Sequence, residues 1–80
     1  MDKDEIQRRV IHVVCRILNV TEDMVEPSSH FVFDLGAEST QSIELVAAFE
    51  GEFGLELDEE AALSVQTVRG AVDFLAGRLG

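Results

Sequence analysis

Asp34-Leu35-Gly36-Ala37-Glu38-Ser39-Thr40-Gln41-Ser42-Ile43-Glu44-Leu45-Val46 passes from turn residues into a helical pattern within a few positions. From Ser39 onward, Ser42, Leu45, Val46, Phe49 and Phe53 recur at helical spacing. The spacing predicts a helix from about Ser39 to Glu52, closed by Phe53-Gly54. A serine at that start carries its hydroxyl at the helix mouth, where free backbone N–H groups and the positive end of the helix dipole favour a phosphate.

Projected at about 100° per residue, this helix divides into two faces. Leu45, Val46, Phe49 and Phe53 fall together with Ser42, and that side is core. The other side collects Thr40, Ile43, Glu44, Ala47, Glu50 and Gly51, so Ile43 and Ala47 form an apolar strip bordered by glutamates. Apolar residues inside a charged rim have the composition of a docking surface, and this strip begins beside Ser39.

Upstream, Ile6, Val10, Val13, Val14 and Ile17 mark one face of a first helix, capped by Asp4 or a residue just before it and running to about Leu18, with Asn19 as terminator. From Val20 to Glu38 the periodicity is lost, and Pro27, Ser28, Ser29 and Gly36 mark a long loop. Met24, Val25, Phe31, Phe33 and Leu35 are the residues expected to pin it to the core. Downstream, Asp58 caps a short helix through Leu63, and Thr67 caps a last one carrying Val68, Ala71, Val72, Leu75 and Leu79. The expected fold class is all-α: a small four-helix bundle of three longer helices and one short one, with a long loop between helices 1 and 2, occupying residues 1–80 as one domain.

Eighty residues, 46% of them hydrophobic, suit a single thin core and argue against a multi-step enzyme. No basic stretch followed by an apolar run opens the chain and no apolar segment is long enough to span a bilayer, so a soluble, cytoplasmic, monomeric protein is expected. Cys15 stands alone, without a disulfide or zinc partner, and no metal site is expected. The net charge is −10, yet no Lys or Arg lies between Ile17 and Val68. That stretch holds twelve acids, Glu22, Asp23, Glu26, Asp34, Glu38, Glu44, Glu50, Glu52, Glu56, Asp58, Glu59 and Glu60, expected to lack local counter-ions. Such a field repels nucleic acid and anionic membrane and draws in a partner with a basic patch.

Other candidates are weaker. Glu44 or Glu50 with His30 makes an imaginable acid/base pair, but nothing fixes their approach and solvated groups are the simpler reading. His12 and Cys15 project away from the core face of the first helix, and no histidine is spaced to activate the thiol. Ser42, the rival to Ser39 for modification, projects inward. The Asp58-Glu59-Glu60 run lacks the spacing of a calcium loop and reads as a capping cluster.

With these residues in view, the chain resembles the acyl carrier proteins and the related peptidyl carrier proteins. Their signature Asp-Leu-Gly-x-Asp-Ser-Leu appears as Asp34-Leu35-Gly36-Ala37-Glu38-Ser39-Thr40, and the likeness continues through Ile43-Glu44-Leu45-Val46 and Glu52-Phe53-Gly54-Leu55-Glu56-Leu57 to Ala71-Val72-Asp73-Phe74-Leu75. The resemblance implies that Ser39 is esterified by the phosphate of 4′-phosphopantetheine, transferred from coenzyme A by a separate, magnesium-using phosphopantetheinyl transferase. It further implies that the thiol of the arm holds acyl intermediates as thioesters for partner enzymes of fatty acid, lipid or polyketide-type biosynthesis. The chain itself is then not an enzyme, and its partners dock on Glu38, Thr40, Ile43, Glu44, Ala47 and Glu50. Cargo is expected in a sleeve lined by Leu45, Val46, Phe49, Phe53, Leu63, Val65, Val68 and Val72, which Phe49, bulkier than the family's usual aliphatic residue, narrows toward short or partly polar groups.

Glu38 and Thr40 depart from the family's aspartate and leucine, Ala47 from a larger apolar residue and Gly51 from an acid; these departures point to a specialised pathway. An aminoacyl or peptidyl carrier, or an unmodified acidic interaction module with the same fold, is the alternative.

Overall fold

A computed structural model describes all 80 residues. Helix α1 (Lys3–Leu18) begins where Asp2, in extended backbone conformation, accepts the N–H of Glu5 at 2.8 Å. It ends where Asn19 turns left-handed at φ 57° and donates its N–H to the Cys15 carbonyl. Asparagine tolerates that conformation better than any other residue with a side chain of its size, so the terminator read from the sequence is the C-cap. A short 3-10 turn, Glu22–Met24, follows and has no counterpart in the sequence reading.

Helix α2 (Ser39–Phe53) closes on Gly54 at φ 65°, α3 (Glu59–Leu63) is capped by Asp58 accepting from Ala61 N–H at 3.1 Å, and α4 (Val68–Leu79) by Thr67 accepting from Gly70 N–H at 3.0 Å. The chain forms no strand, only an isolated antiparallel bridge between His30 and Thr67. Three long helices and a short one are therefore the architecture expected of an all-α bundle.

Helix α1 is the spine. It packs against both α4 and α2, while α3 leans on α2. Ile6, Val10, Val13 and Val14 are essentially sealed from water against Leu45 and Phe49 of α2 and Val68, Val72 and Leu75 of α4 within one buried cluster. Leu18 takes the buried place at the end of α1 and Ile17 is only partly covered, a one-residue shift of the expected face. Cys15, read as outward-facing, is half-buried and packs on the core edge.

Between α1 and α2 the chain straps across the N-terminus of α4. The carbonyls of Ser29 and Pro27 accept the N–H groups of Val68 and Arg69 at 3.1 and 2.8 Å, donors that a helix start leaves without intrahelical partners. Phe31 N–H donates to Gln66 O at 2.9 Å, and buried Ser29 accepts from Glu26 N–H through its hydroxyl at 2.9 Å. Val25, Phe31 and Leu35 pin the strap as expected. Met24 and Phe33 do not: they stand 57% and 85% exposed, Met24 on the 3-10 turn and Phe33 in the turn between buried Phe31 and Leu35, whose three middle residues all face solvent while backbone hydrogen bonds fix the strap.

Two cross-ties complete the frame. Lys3 pairs with Asp73 of α4 at 2.8 Å, and Arg9 pairs with Glu5 at 3.0 Å and with Glu52 of α2 at 3.6 Å. Glu52 is thus the one acid of the central twelve in an ion pair, which corrects the expectation that none has a counter-ion. These pairs are partly or fully solvated and each is worth a few tenths of a kcal/mol to about 1 kcal/mol.

Candidate functional site

The approach to α2 is built one residue at a time. His30 N–H donates to Asp34 Oδ2 at 2.7 Å, and the N–H groups of Asp34 and Leu35 return to the His30 carbonyl at 2.9 and 3.1 Å. Gly36 then adopts φ 73°, a left-handed conformation that glycine enters without steric cost, and Ala37 N–H turns back onto Phe31 O at 2.8 Å. With Leu35 and Ala37 buried on either side of it, the strand-like approach is anchored, and Glu38 and Ser39 emerge at the surface.

Ser39 is the first residue of α2 and is exposed. The helical ladder starts with Ser42 N–H donating to Glu38 O at 3.0 Å, which leaves the N–H groups of Ser39, Thr40 and Gln41 ahead of it outside the ladder. Gln41 folds back so that its side-chain oxygen accepts the Glu38 N–H at 2.9 Å, fixing the start of the helix. Helices α1 and α3 carry acids in their first turns, whereas α2 carries none. Glu38, the N-cap, also reaches the Gln41 N–H with its side chain, so the N–H groups of Ser39 and Thr40 are the ones left open to an incoming anion, and a phosphodiester on Ser39 Oγ fits the place.

The other hydroxyl candidate is occupied. Ser42 is half-buried, and its Oγ donates to the Glu38 carbonyl at 3.4 Å. Of the expected docking residues, Glu38, Thr40, Glu44 and Ala47 are exposed and Ile43 is 51% exposed, forming one face of α2 that nothing in the fold covers. Glu50 differs: it is half-buried, and its carboxylate accepts the Leu57 N–H at 2.8 Å, holding the α2–α3 linker.

A cavity of about 140 Å³ opens between α2 and the later helices. It lies where α2 and α4 both rest on α1 but make little contact with one another. Leu45, Val46, Phe49, Leu63 and Val65 line it as expected. Phe53, Val68 and Val72 do not. Val68 and Val72 lie about 60–100° round α4 from Ala71 and face α1, while Phe53 sits at the far end of α2 against the core edge. Their places are taken by Phe31, Leu57, Ala62, Ala71, Phe74 and Leu75. His30, Ser42 and Gln66 supply the polar part of the lining, and Ser42 lies one helical turn from Ser39, so the cavity reaches toward the proposed attachment point.

His30 is a structural acceptor and no catalytic partner of the glutamates: its Nδ1 receives the N–H groups of Val32 and Phe33, both at 3.1 Å. The Cys15 thiol is held above the ordinary thiol range, first by burial and then by the nearby charges of Glu22 and Asp23. Asp58 is used as the cap of α3. No helix is long and apolar enough to cross a membrane.

Compared with known proteins, residues 8–75 match the family described as the phosphopantetheine attachment site. The match runs from the first turns of α1 to Leu75 of α4, and so takes in the strap, the start of α2 and the cavity.

Proposed function

The chain belongs to the phosphopantetheine-attachment family, whose members carry a covalently attached 4′-phosphopantetheine, and on that footing we propose that Ser39 is the residue that takes up the arm and that the whole chain works as one carrier of acyl groups. The observation that carries this reading is the start of α2. Ser39 is exposed there, beside two N–H groups, its own and that of Thr40, which neither the helical ladder nor the Glu38 cap takes up.

In the loading step, Ser39 Oγ forms a bond to the pantetheine-side phosphorus of coenzyme A. The phosphoanhydride bond breaks, adenosine 3′,5′-bisphosphate leaves, and the serine proton passes to the transferase. The N-terminus of α2 holds the resulting phosphodiester charge through its free N–H groups. The attached group supplies a terminal thiol on which cargo is held as a thioester. The chain's own residues then do three things: Ser39 anchors the arm, the cavity beside Ser42 shelters apolar cargo, and the exposed face of α2 meets partners.

That face favours partners with basic surfaces, since Glu38 and Glu44 border Thr40, Ile43 and Ala47 and no Lys or Arg lies nearby in the sequence. Thr40 offers less apolar area than leucine at the position next to Ser39, which supports service in a specialised pathway. The apolar cavity favours acyl over aminoacyl cargo.

Intact mass after incubation with coenzyme A, magnesium and a broad-specificity phosphopantetheinyl transferase tests the reading. One arm is expected on the wild type, one on Ser42→Ala and none on Ser39→Ala. A wild type that never gains mass would favour the unmodified interaction module, and a gain that persists in Ser39→Ala would move the attachment point.

A further inference from the structure

Phe33 is the most exposed large apolar side chain in the protein, at 85%, and lies in the strap six residues before Ser39. It is held outward by its neighbours. Its N–H donates to His30 Nδ1 at 3.1 Å, and the imidazole stacks on its ring with centroids 4.3 Å apart and planes 27° from parallel. The turn beneath is closed by His30 N–H to Asp34 Oδ2 at 2.7 Å and Gly36 N–H to Val32 O at 3.0 Å. Phe31 and Leu35 on either side already supply the buried anchors, so the fold makes no use of the Phe33 ring. We propose that Phe33 is the docking anchor for the transferase that loads Ser39, its ring entering an apolar pocket on a basic enzyme surface.

This rests on the reading of Ser39 as the attachment point and adds a residue outside the α2 face. The transferase is the one partner that must bring its own reacting groups to Ser39 Oγ, whereas later enzymes reach the cargo along the arm. A standard interface covers about 800 Å² of each partner, which is about a sixth of this protein's 4841 Å² surface. Six residues of chain span at most about 20 Å, so an interface of that size that covers Ser39 has room for Phe33 as well, together with Val32 at 46% and Ile43 at 51% exposure.

The charges around the ring select the occupant. Asp34, Glu38 and Glu44 are exposed and in no ion pair, so a basic surface is attracted, while a second copy of a chain of net charge −10 is repelled. An aromatic ring with few rotatable bonds, already stacked on an imidazole, is the kind of side chain that concentrates interface energy.

The test uses the apo chain, coenzyme A and a transferase that loads the wild type, with rates read by intact mass across carrier concentrations. Phe33→Ser should raise KM about tenfold or more with kcat nearly unchanged, as loss of an anchor that acts equally in ground and transition states. Phe33→Leu should recover most of the loss. Phe33→Glu should be as poor as Phe33→Ser although it adds the charge a basic partner favours, and Met24→Ser, exposed but on the 3-10 turn against α1, should load like the wild type. An unchanged KM in Phe33→Ser overturns the proposal, as does an equal loss in Met24→Ser. A Phe33→Ser chain that melts well below the wild type overturns it too, because the ring would then belong to the fold. Loading that fails in the wild type, or survives Ser39→Ala, tells instead against Ser39.

Discussion

Glu50 Oε2 accepts the Leu57 N–H at 2.8 Å, seven residues downstream across the Gly54 turn. A residue at the edge of the proposed docking face is thereby also the latch of the α2–α3 linker. Charge reversal at Glu50 therefore mixes two effects that reversal at Glu44 keeps apart. Glu44→Lys should leave the melting temperature within a degree or two while slowing partner association and flattening its salt dependence. Glu50→Lys should slow association and also cost about 1.5 kcal/mol of stability, the lower end of the range for a hydrogen bond to a charged group because the site is only half-buried. Denaturant midpoints of the two variants, equal within error, would mean the latch contributes nothing.

Two glycines beside the site should respond oppositely to alanine. Gly51 lies in the exposed face of α2, and a Cβ there would meet nothing within 4 Å, so Gly51→Ala should stabilise the protein by about 0.5–1 kcal/mol. Gly36 also has open space around it, but its φ of 73° strains any side chain, and Gly36→Ala should destabilise by about 1 kcal/mol or more. Because Gly36 turns the chain toward Ser39, the same variant should be loaded more slowly. Stabilisation by both substitutions would show that the left-handed turn relaxes without cost.

How far the site could be read from residue order depends on the range of the interactions that make it. Caps act over three residues, and those of α3 and α4 follow from Asp58-x-x-Ala61 and Thr67-x-x-Gly70; the start of α2 follows from where the apolar spacing sets in. The Glu50 latch spans a turn, so nothing in the helical period of α2 reveals it. Phe33 and Phe31 are both aromatic residues in an aperiodic strap, and only the hydrogen bonds of the turn decide that one is buried and the other exposed. The cavity is legible in Leu45, Val46 and Phe49 of α2, but not at the end of α2, where Phe53 falls outside it, nor in its α4 wall. The apolar stripe of α4 is broad enough to face two neighbours, and the gap between α2 and α4, which leaves Ala71 and Phe74 on the cavity and Val68 and Val72 off it, is a property of helix packing with no local sequence signal.

Cys15 gives a pH-dependent readout of the interior. Burial, then Glu22 and Asp23, raise the thiol above its ordinary range, so the thiolate that reacts with alkylating agents is scarcer than on a free cysteine at the same pH. Alkylation of the folded chain at pH 8 should be several-fold slower than that of the urea-unfolded chain, and the rate should keep rising at a pH where the unfolded chain has levelled off. The folded state holds its proton more tightly, so this group's contribution to stability is full below the unfolded pKa and is lost as pH rises through the folded one. Glu22→Gln with Asp23→Asn should shift the rate profile only part of the way back, because burial is the larger cause. A complete return would make the charges dominant.

The cavity sets a length limit on cargo if Ser39 carries an acyl chain. Its 140 Å³ is close to the roughly 150 Å³ engineered cavity that accepts benzene, so about six carbons fill it. Each methylene taken up removes apolar surface from water and is worth about 0.8 kcal/mol, so the melting temperature of the loaded protein should climb from acetyl to about hexanoyl and then level off or fall. Phe49 and Phe74 both wall the cavity but differ in what else they support. Phe49 is buried in the core, and Phe49→Ala should cost about 3–5 kcal/mol and blur the comparison. Phe74 is only partly buried and lies 4.4 Å from the Arg78 guanidinium on its solvent side, so Phe74→Ala should enlarge the cavity toward water at smaller cost. In that variant the plateau should move to chains several carbons longer. Melting temperatures that rise steadily through dodecanoyl in the wild type, or a plateau that Phe74→Ala leaves in place, would show that cargo lies elsewhere on the protein.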